Sequence, residues 1–202
     1  MNVPFKLLVV AAIIAASSVV DSTANAEDEE GFVSIFDGMT LDGWHLMNGA
    51  PFAAEAGVIK LNGGRGWLRS EKEYSDFVLK LEFRFMKPPR QDGGVFLRAG
   101  EEGKSWPNRK FEVQIENTER MAKIFGAKYK QDIPLTQSVL KPTGEWNEYV
   151  IKLQGADLQV RLNGKLVSSS DDAGKLTRGY IGFQAEDGFH EYRNLRIKDL
   201  SK

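Results

Sequence analysis

Three stretches between Phe77 and Asn117 carry apolar residues at every second position, a period that commits a chain to β-strands with one face in a core. In Leu79-Lys80-Leu81-Glu82-Phe83-Arg84-Phe85 the polar members are Lys80, Glu82 and Arg84. In Gly94-Val95-Phe96-Leu97-Arg98 the alternation sets Phe96 and Arg98 on one face, and in Phe111-Glu112-Val113-Gln114-Ile115-Glu116 it gathers Glu112, Gln114 and Glu116. A solvated strand face is usually rich in Lys, Thr and Ser. Glu, Gln, Arg and an outward Phe are instead the side chains that hydrogen-bond hydroxyl groups and stack on rings.

The rest of the chain follows the same pattern. Short alternating runs at Phe32 to Phe36, Val58 to Leu61, Trp67 to Ser70, Glu148 to Leu153, Leu158 to Leu162, Tyr180 to Gln184 and Tyr192 to Ile197 are divided by turn residues, the spacing of an all-β sandwich of two antiparallel sheets. Asn163-Gly164, between Leu158–Leu162 and Lys165-Leu166-Val167, marks a two-residue hairpin, because both residues tolerate positive φ. No segment sustains a 3.6-residue period. Met121 to Tyr129 comes nearest and reads as strand or loop, so little helix is expected.

The first 26 residues read as a cleaved signal peptide. Lys6 supplies the basic start, Leu7 to Val20 the apolar run and Ala24-Asn25-Ala26 the small-x-small site. The run is short for a membrane span, which takes about 20 apolar residues. The expected product is an exported, periplasmic or extracellular chain with no membrane span, an acidic unstructured start at residues 27–30 and a single domain over 31–202. With no cysteine it has no disulfide framework and no thiolate metal site. A formal net charge of −1 gives no field for polyanions, which argues against nucleic acid or an anionic membrane surface as partner. Neither Gly63-Gly64-Arg65-Gly66 nor Gly93-Gly94 has the spacing of a phosphate-binding loop.

A series of short strings then resembles one family. Phe36-Asp37-Gly38, Leu41-Asp42-Gly43-Trp44, Gly66-Trp67-Leu68, Tyr74-Ser75-Asp76-Phe77, Gly93-Gly94-Val95-Phe96-Leu97-Arg98, Phe111 to Asn117, Gly144-Glu145-Trp146-Asn147 and Arg193-Asn194-Leu195-Arg196-Ile197 follow in the order found in 3-keto-disaccharide hydrolases. Each string is weak alone; together they span about Gly31 to Leu200. The resemblance implies a concanavalin A-like jelly roll with a carbohydrate site on a concave sheet, and an enzyme acting on glycosides oxidised at C3. The family's Gly-x-Ile-Gly-x-Gln segment is Gly179 to Gln184, while Glu186 stands where a histidine is expected and the nearest histidine is His190.

The chemistry so implied needs a general base for the acidic C2 hydrogen and an electrophile at O3. Glu112 is the leading base, with Glu116 able to raise its pKa and Gln114 between them to orient it. Arg98 and Arg84 are candidates for the electrophile or for holding the sugar, provided their strands are neighbours; ion pairing on a solvated sheet is the alternative. Phe96, Gln184, Glu186 and His190 are expected around the substrate, the last two at the rim. Trp106, in a loop that no alternation demands, suits stacking or a lid, whereas Trp44, Trp67 and Trp146 read as core. With two histidines, His45 and His190, a histidine-rich zinc site is not expected; an oxygen-ligated calcium or magnesium ion stays open. A non-catalytic carbohydrate-binding module and a docking domain for another exported protein are the competing readings.

Overall fold

The computed structural model of the chain describes residues 29–88 and 91–201, so the expected signal peptide lies outside the described residues. The first strands are β1 (Val33–Ser34), β2 (Trp44–Met47), β3 (Phe52–Glu55), β4 (Val58–Asn62), β5 (Arg65–Tyr74), β6 (Phe77–Phe85), β7 (Asp92–Ala99), β8 (Phe111–Glu116), β9 (Ile124–Phe125) and β10 (Lys130–Gln131). After a short helix, α1 (Ile133–Val139), come β11 (Asn147–Gln154), β12 (Asp157–Leu162), β13 (Lys165–Ser170), β14 (Gly179–Glu186) and β15 (Phe189–Asp199). They form two antiparallel sheets. A nine-stranded sheet runs β10-β13-β12-β11-β6-β15-β4-β3 with β1 on β15, and a six-stranded sheet runs β2-β5-β14-β7-β8-β9. This is the all-β, two-sheet sandwich with little helix that the alternation predicts.

The apolar set fills the space between the sheets. Leu81, Phe83, Val95, Leu97, Val113 and Ile115 are all buried there. Phe183 of β14 stacks at 4.5 Å on Tyr192 of β15, joining the two sheets. Tyr149 of β11 donates its hydroxyl to the backbone carbonyl of Gln114 at 2.8 Å, so the position of β8 is fixed from below. The Asn163-Gly164 hairpin forms as predicted, with φ of 47° and 81°. Helix α1 begins where the Asp132 carboxylate accepts from Leu135 N and Pro134 fits the first turn.

Several expectations need correction. Glu29 and Glu30, assigned to an unstructured start, lie on the larger sheet: Glu29 pairs with Lys80, and Lys198 donates to the Glu30 carbonyl. Arg84 is not a neighbour of β7 or β8, because β6 belongs to the other sheet. There its guanidinium binds Glu191 and lies 4.5 Å above the Trp146 ring. His190 is neither at a rim nor in an exposed loop; it is fully buried between the sheets against Phe85. Its Nδ1 faces the Tyr192 hydroxyl at 3.2 Å, and burial pushes its pKa down to about 3.

Arg98 is the most instructive departure. Strand β7 pairs Ala99 with Tyr180 and Phe96 with Gly182, so Leu97 and Arg98 together oppose Ile181 alone. This β-bulge resets the alternation: Ala99, not Arg98, shares the face of Phe96. Arg98 takes a left-handed φ of 46°, a conformation costing a side chain about 1 kcal/mol or more. Its guanidinium, 2% exposed, donates to the carbonyls of Ser75, Gly155, Ala173 and Leu176 and to the Asp76 carboxylate. The residue ties together the turns at one end of the sandwich. Arg98→Met should therefore cost about 3–5 kcal/mol of stability by leaving buried acceptors and a carboxylate unpaired, measured by chemical denaturation. Full stability with lost activity would return Arg98 to a functional role.

Candidate functional site

The site lies on the face of the six-stranded sheet that is turned away from its partner. Because Phe111, Val113 and Ile115 are committed to the core, Glu112, Gln114 and Glu116 project outward. Antiparallel register sets Phe96 opposite Glu112, Gly94 opposite Gln114 and Asp92 opposite Glu116. On the other side of β7, Phe183 pairs with Val95, which brings Gln184 beside Gly94. The result is one polar cluster built from three adjacent strands.

Gly94 lies at its centre, covered by the Glu112 carboxyl and the Gln184 carboxamide. A Cβ there would lie 2.8 Å from Glu112 Oε1 and 3.2 Å from Gln184 Oε1, so the absence of a side chain is what lets these two groups face one space. Glu112 is 7% exposed, and burial is the main reason its pKa rises to about 7. The negative charges of Glu186 and Asp92 push in the same direction, while Lys110 and Arg120 oppose them. Lys110 Nζ lies 3.9 Å from Glu112 Oε2, is held by the Pro107 carbonyl and sits over the Phe96 ring. A carboxyl poised near neutrality can both take and return a proton.

The surrounding groups are fixed by one another. Gln114 donates to Asp92 Oδ1 at 2.5 Å and to Glu116 Oε2 at 3.2 Å. Arg120 pairs with Glu116 at 3.2 Å, and the Thr118 hydroxyl donates to the same carboxylate. Gln184 donates through Nε2 to Glu186 Oε2 at 2.8 Å, and its Oε1 lies over Gly94 with Glu112 Oε1. Trp106 donates its indole N–H to the Ala185 carbonyl and packs against Trp67, Phe96 and Ala99, so it partly covers this face.

Of the residues expected from sequence, the structure therefore gathers Glu112, Gln114, Glu116, Phe96, Trp106, Gln184 and Glu186. It places Arg98, Arg84 and His190 elsewhere. Asp92, Gly94, Lys110 and Arg120 enter the site without having been predicted. Lys110 was within reach of the pattern, since it stands two residues before Glu112 and shares its parity. Arg120 comes from the loop after β8, where no period applies. Among the described residues no group of three or more acidic or histidine side chains is arranged to hold a metal ion. The carboxylates here face Lys110, Arg120 and amides.

Known structures share this architecture. A proposed glycosyl hydrolase of Parabacteroides distasonis superposes with a TM-score of 0.73 at 21% identity, covering 85% of this chain and 95% of its own. A second from the same organism gives 0.68 at 24% identity, covering 84% and 99%. The carbohydrate-binding module CBM66 of Bacillus subtilis gives 0.61 at 14% identity, covering 80% and 97%. At these identities the likeness establishes the fold, the concanavalin A-like jelly roll. No curated protein matches the chain. The model of the 3-keto-alpha-glucoside-1,2-lyase-like domain matches residues 31–198, and the chain belongs to that family.

Proposed function

We propose that this protein cleaves 3-keto-glycosides by elimination, with Glu112 as the general base. The observation that carries the reading is the buried Glu112 carboxyl, raised to about 7 and lying over Gly94 beside the Gln184 carboxamide. A keto group at C3 acidifies the C2 hydrogen. Glu112 removes that proton, and the electron pair passes into an enolate with its charge on O3. Collapse of the enolate forms the C1–C2 double bond and expels the glycosidic oxygen, which takes up a proton as it leaves. Water added across the double bond then gives the free 3-keto sugar.

With Arg98 and Arg84 elsewhere, the charge on O3 falls to Lys110, the ammonium nearest Glu112. Lys110 also keeps part of Glu112 ionised at neutral pH, as a base must be. Phe96 and Trp106 supply aromatic surface for the sugar. The convergence of Glu112, Gln114 and Gln184 favours a sugar site over a docking surface for another protein. The likeness to CBM66 supports a second reading, a binding module without turnover. Export is part of the proposal, resting on the Leu7 to Val20 run and Ala24-Asn25-Ala26.

Glu112→Gln should lower kcat by about 10²- to 10⁴-fold with little change in KM, and a parent glycoside without the keto group should be inert. Unchanged turnover would move the base to Glu186, and binding without cleavage by the unmodified protein would favour the binding module. Since the base must be ionised, kcat/KM should rise with pH and level off above about 7. Glu186→Gln, removing a like charge, should shift that limb to lower pH.

Stability should run the other way. The folded state holds the Glu112 proton more tightly than the unfolded chain, whose ordinary value is 4.5, so this group favours the fold at low pH and that contribution is lost as pH rises through about 7. Its full size is on the order of 3 kcal/mol. Glu112→Gln should thus flatten the fall in unfolding free energy between pH 4.5 and about 7, the two values that bound that titration; an unchanged slope would show that Glu112 titrates normally.

A further inference from the structure

Trp67 reads as core in the sequence, yet it faces the same side of the sheet as Glu112 rather than the space between the sheets. It is fully buried in a small cluster with Phe96 and Ala99, apart from the main core. Its six-membered ring lies over Gly182, where a Cβ would come within 2.5 Å of Cε3. The opposite edge of the indole, carrying Nε1, is thereby turned away from Gly182. That N–H is buried and has no hydrogen-bond partner.

Directly across the strand pair stands Gln184, the register partner of Trp67. Its Nε2 is committed to Glu186, and its Oε1, also buried, has no partner either. Buried polar atoms are nearly always paired, so an unpaired donor and an unpaired acceptor on directly opposed residues form an exception that needs a cause. Opposed residues bring their Cβ atoms within about 4.5–5.5 Å, close enough for one small group to bridge their side chains. A sugar hydroxyl can accept one hydrogen bond and donate another from a single atom, and so can satisfy both.

We infer that Trp67 Nε1 and Gln184 Oε1 together bind one hydroxyl of the substrate sugar, the indole donating to it and the carboxamide accepting from it. The inference deepens the sugar-cleaving reading and rests on it. The pair fixes the ring relative to Glu112, because Gln184 Oε1 and Glu112 Oε1 both lie over Gly94. It also selects against sugars lacking that hydroxyl. A site built to hydrogen-bond a hydroxyl discriminates strongly against the analogue without it, since both partners are then left buried and unpaired.

The test uses the mature Glu112→Gln protein, which retains ligand without cleaving it, and titrates a methyl 3-keto-hexopyranoside and its monodeoxy analogues by calorimetry. Adding Trp67→Phe, or separately Gln184→Met, should weaken the parent sugar about tenfold, the worth of one hydrogen bond. Both changes should leave affinity for one and the same monodeoxy analogue nearly unaltered. Equal weakening of every analogue would make Trp67 a packing residue and overturn the inference, as would unchanged affinity for all of them. If the Glu112→Gln protein bound no sugar at all, with or without the keto group, the sugar reading itself would fail and the paired hydroxyl site with it.

Discussion

Two consecutive glycines at the centre of the six-stranded sheet set the terms for everything around them. Gly93 opens toward the core and Gly94 toward the outer face. The space under Gly93 holds His190, whose Cε1 would lie 2.6 Å from a Cβ, and the space over Gly94 holds the Glu112 carboxyl. Glycine weakens a strand interior by roughly 0.5–1 kcal/mol against alanine, so two in succession are a cost that buried side chains on both faces must offset. Desolvation then drives the two ionisable groups in opposite directions. His190 is pushed down to about 3 and remains a neutral part of the core; Glu112 is pushed up to about 7 and becomes able to exchange a proton.

The larger sheet supplies the rigidity that such a site needs. Tyr149 holds the backbone of Gln114 from beneath, and Phe183 and Tyr192 lock β14 to the opposite sheet. On the outer side each polar group is oriented by another: Gln114 by Asp92 and Glu116, Glu116 by Arg120 and Thr118, Gln184 by Glu186. A carboxyl held by a network of this kind stays aimed at one point in space. That is the geometry a base needs to find a single C–H bond.

The sandwich and the outward face of β8 were legible because strict alternation leaves few other structures open to residues 77–85 and 111–116. The errors arose where that rule stops. One extra residue in the β7 bulge sent Arg98 to the opposite side from Phe96, and nothing in Gly94 to Arg98 announces a bulge. Arg84 alternates as expected but on β6, and periodicity cannot say which sheet a strand joins. His190 was read as a rim residue, whereas β15 begins at Phe189 and carries His190 into the space between the sheets. Trp67 followed the pattern of its strand but not the expectation that a tryptophan in a structural-looking string belongs to the main core.

The central claim is that cleavage begins with removal of the C2 proton rather than with displacement at C1. The fate of a deuterium placed at C2 of a 3-keto-glycoside decides between them. Product isolated after enzymatic cleavage in ordinary water, corrected for exchange in an enzyme-free control, should have lost the label from C2, because elimination transfers it to Glu112 and then to solvent. Deuterium retained at C2 in the cleaved sugar would contradict the account, since direct hydrolysis at C1 leaves that bond untouched.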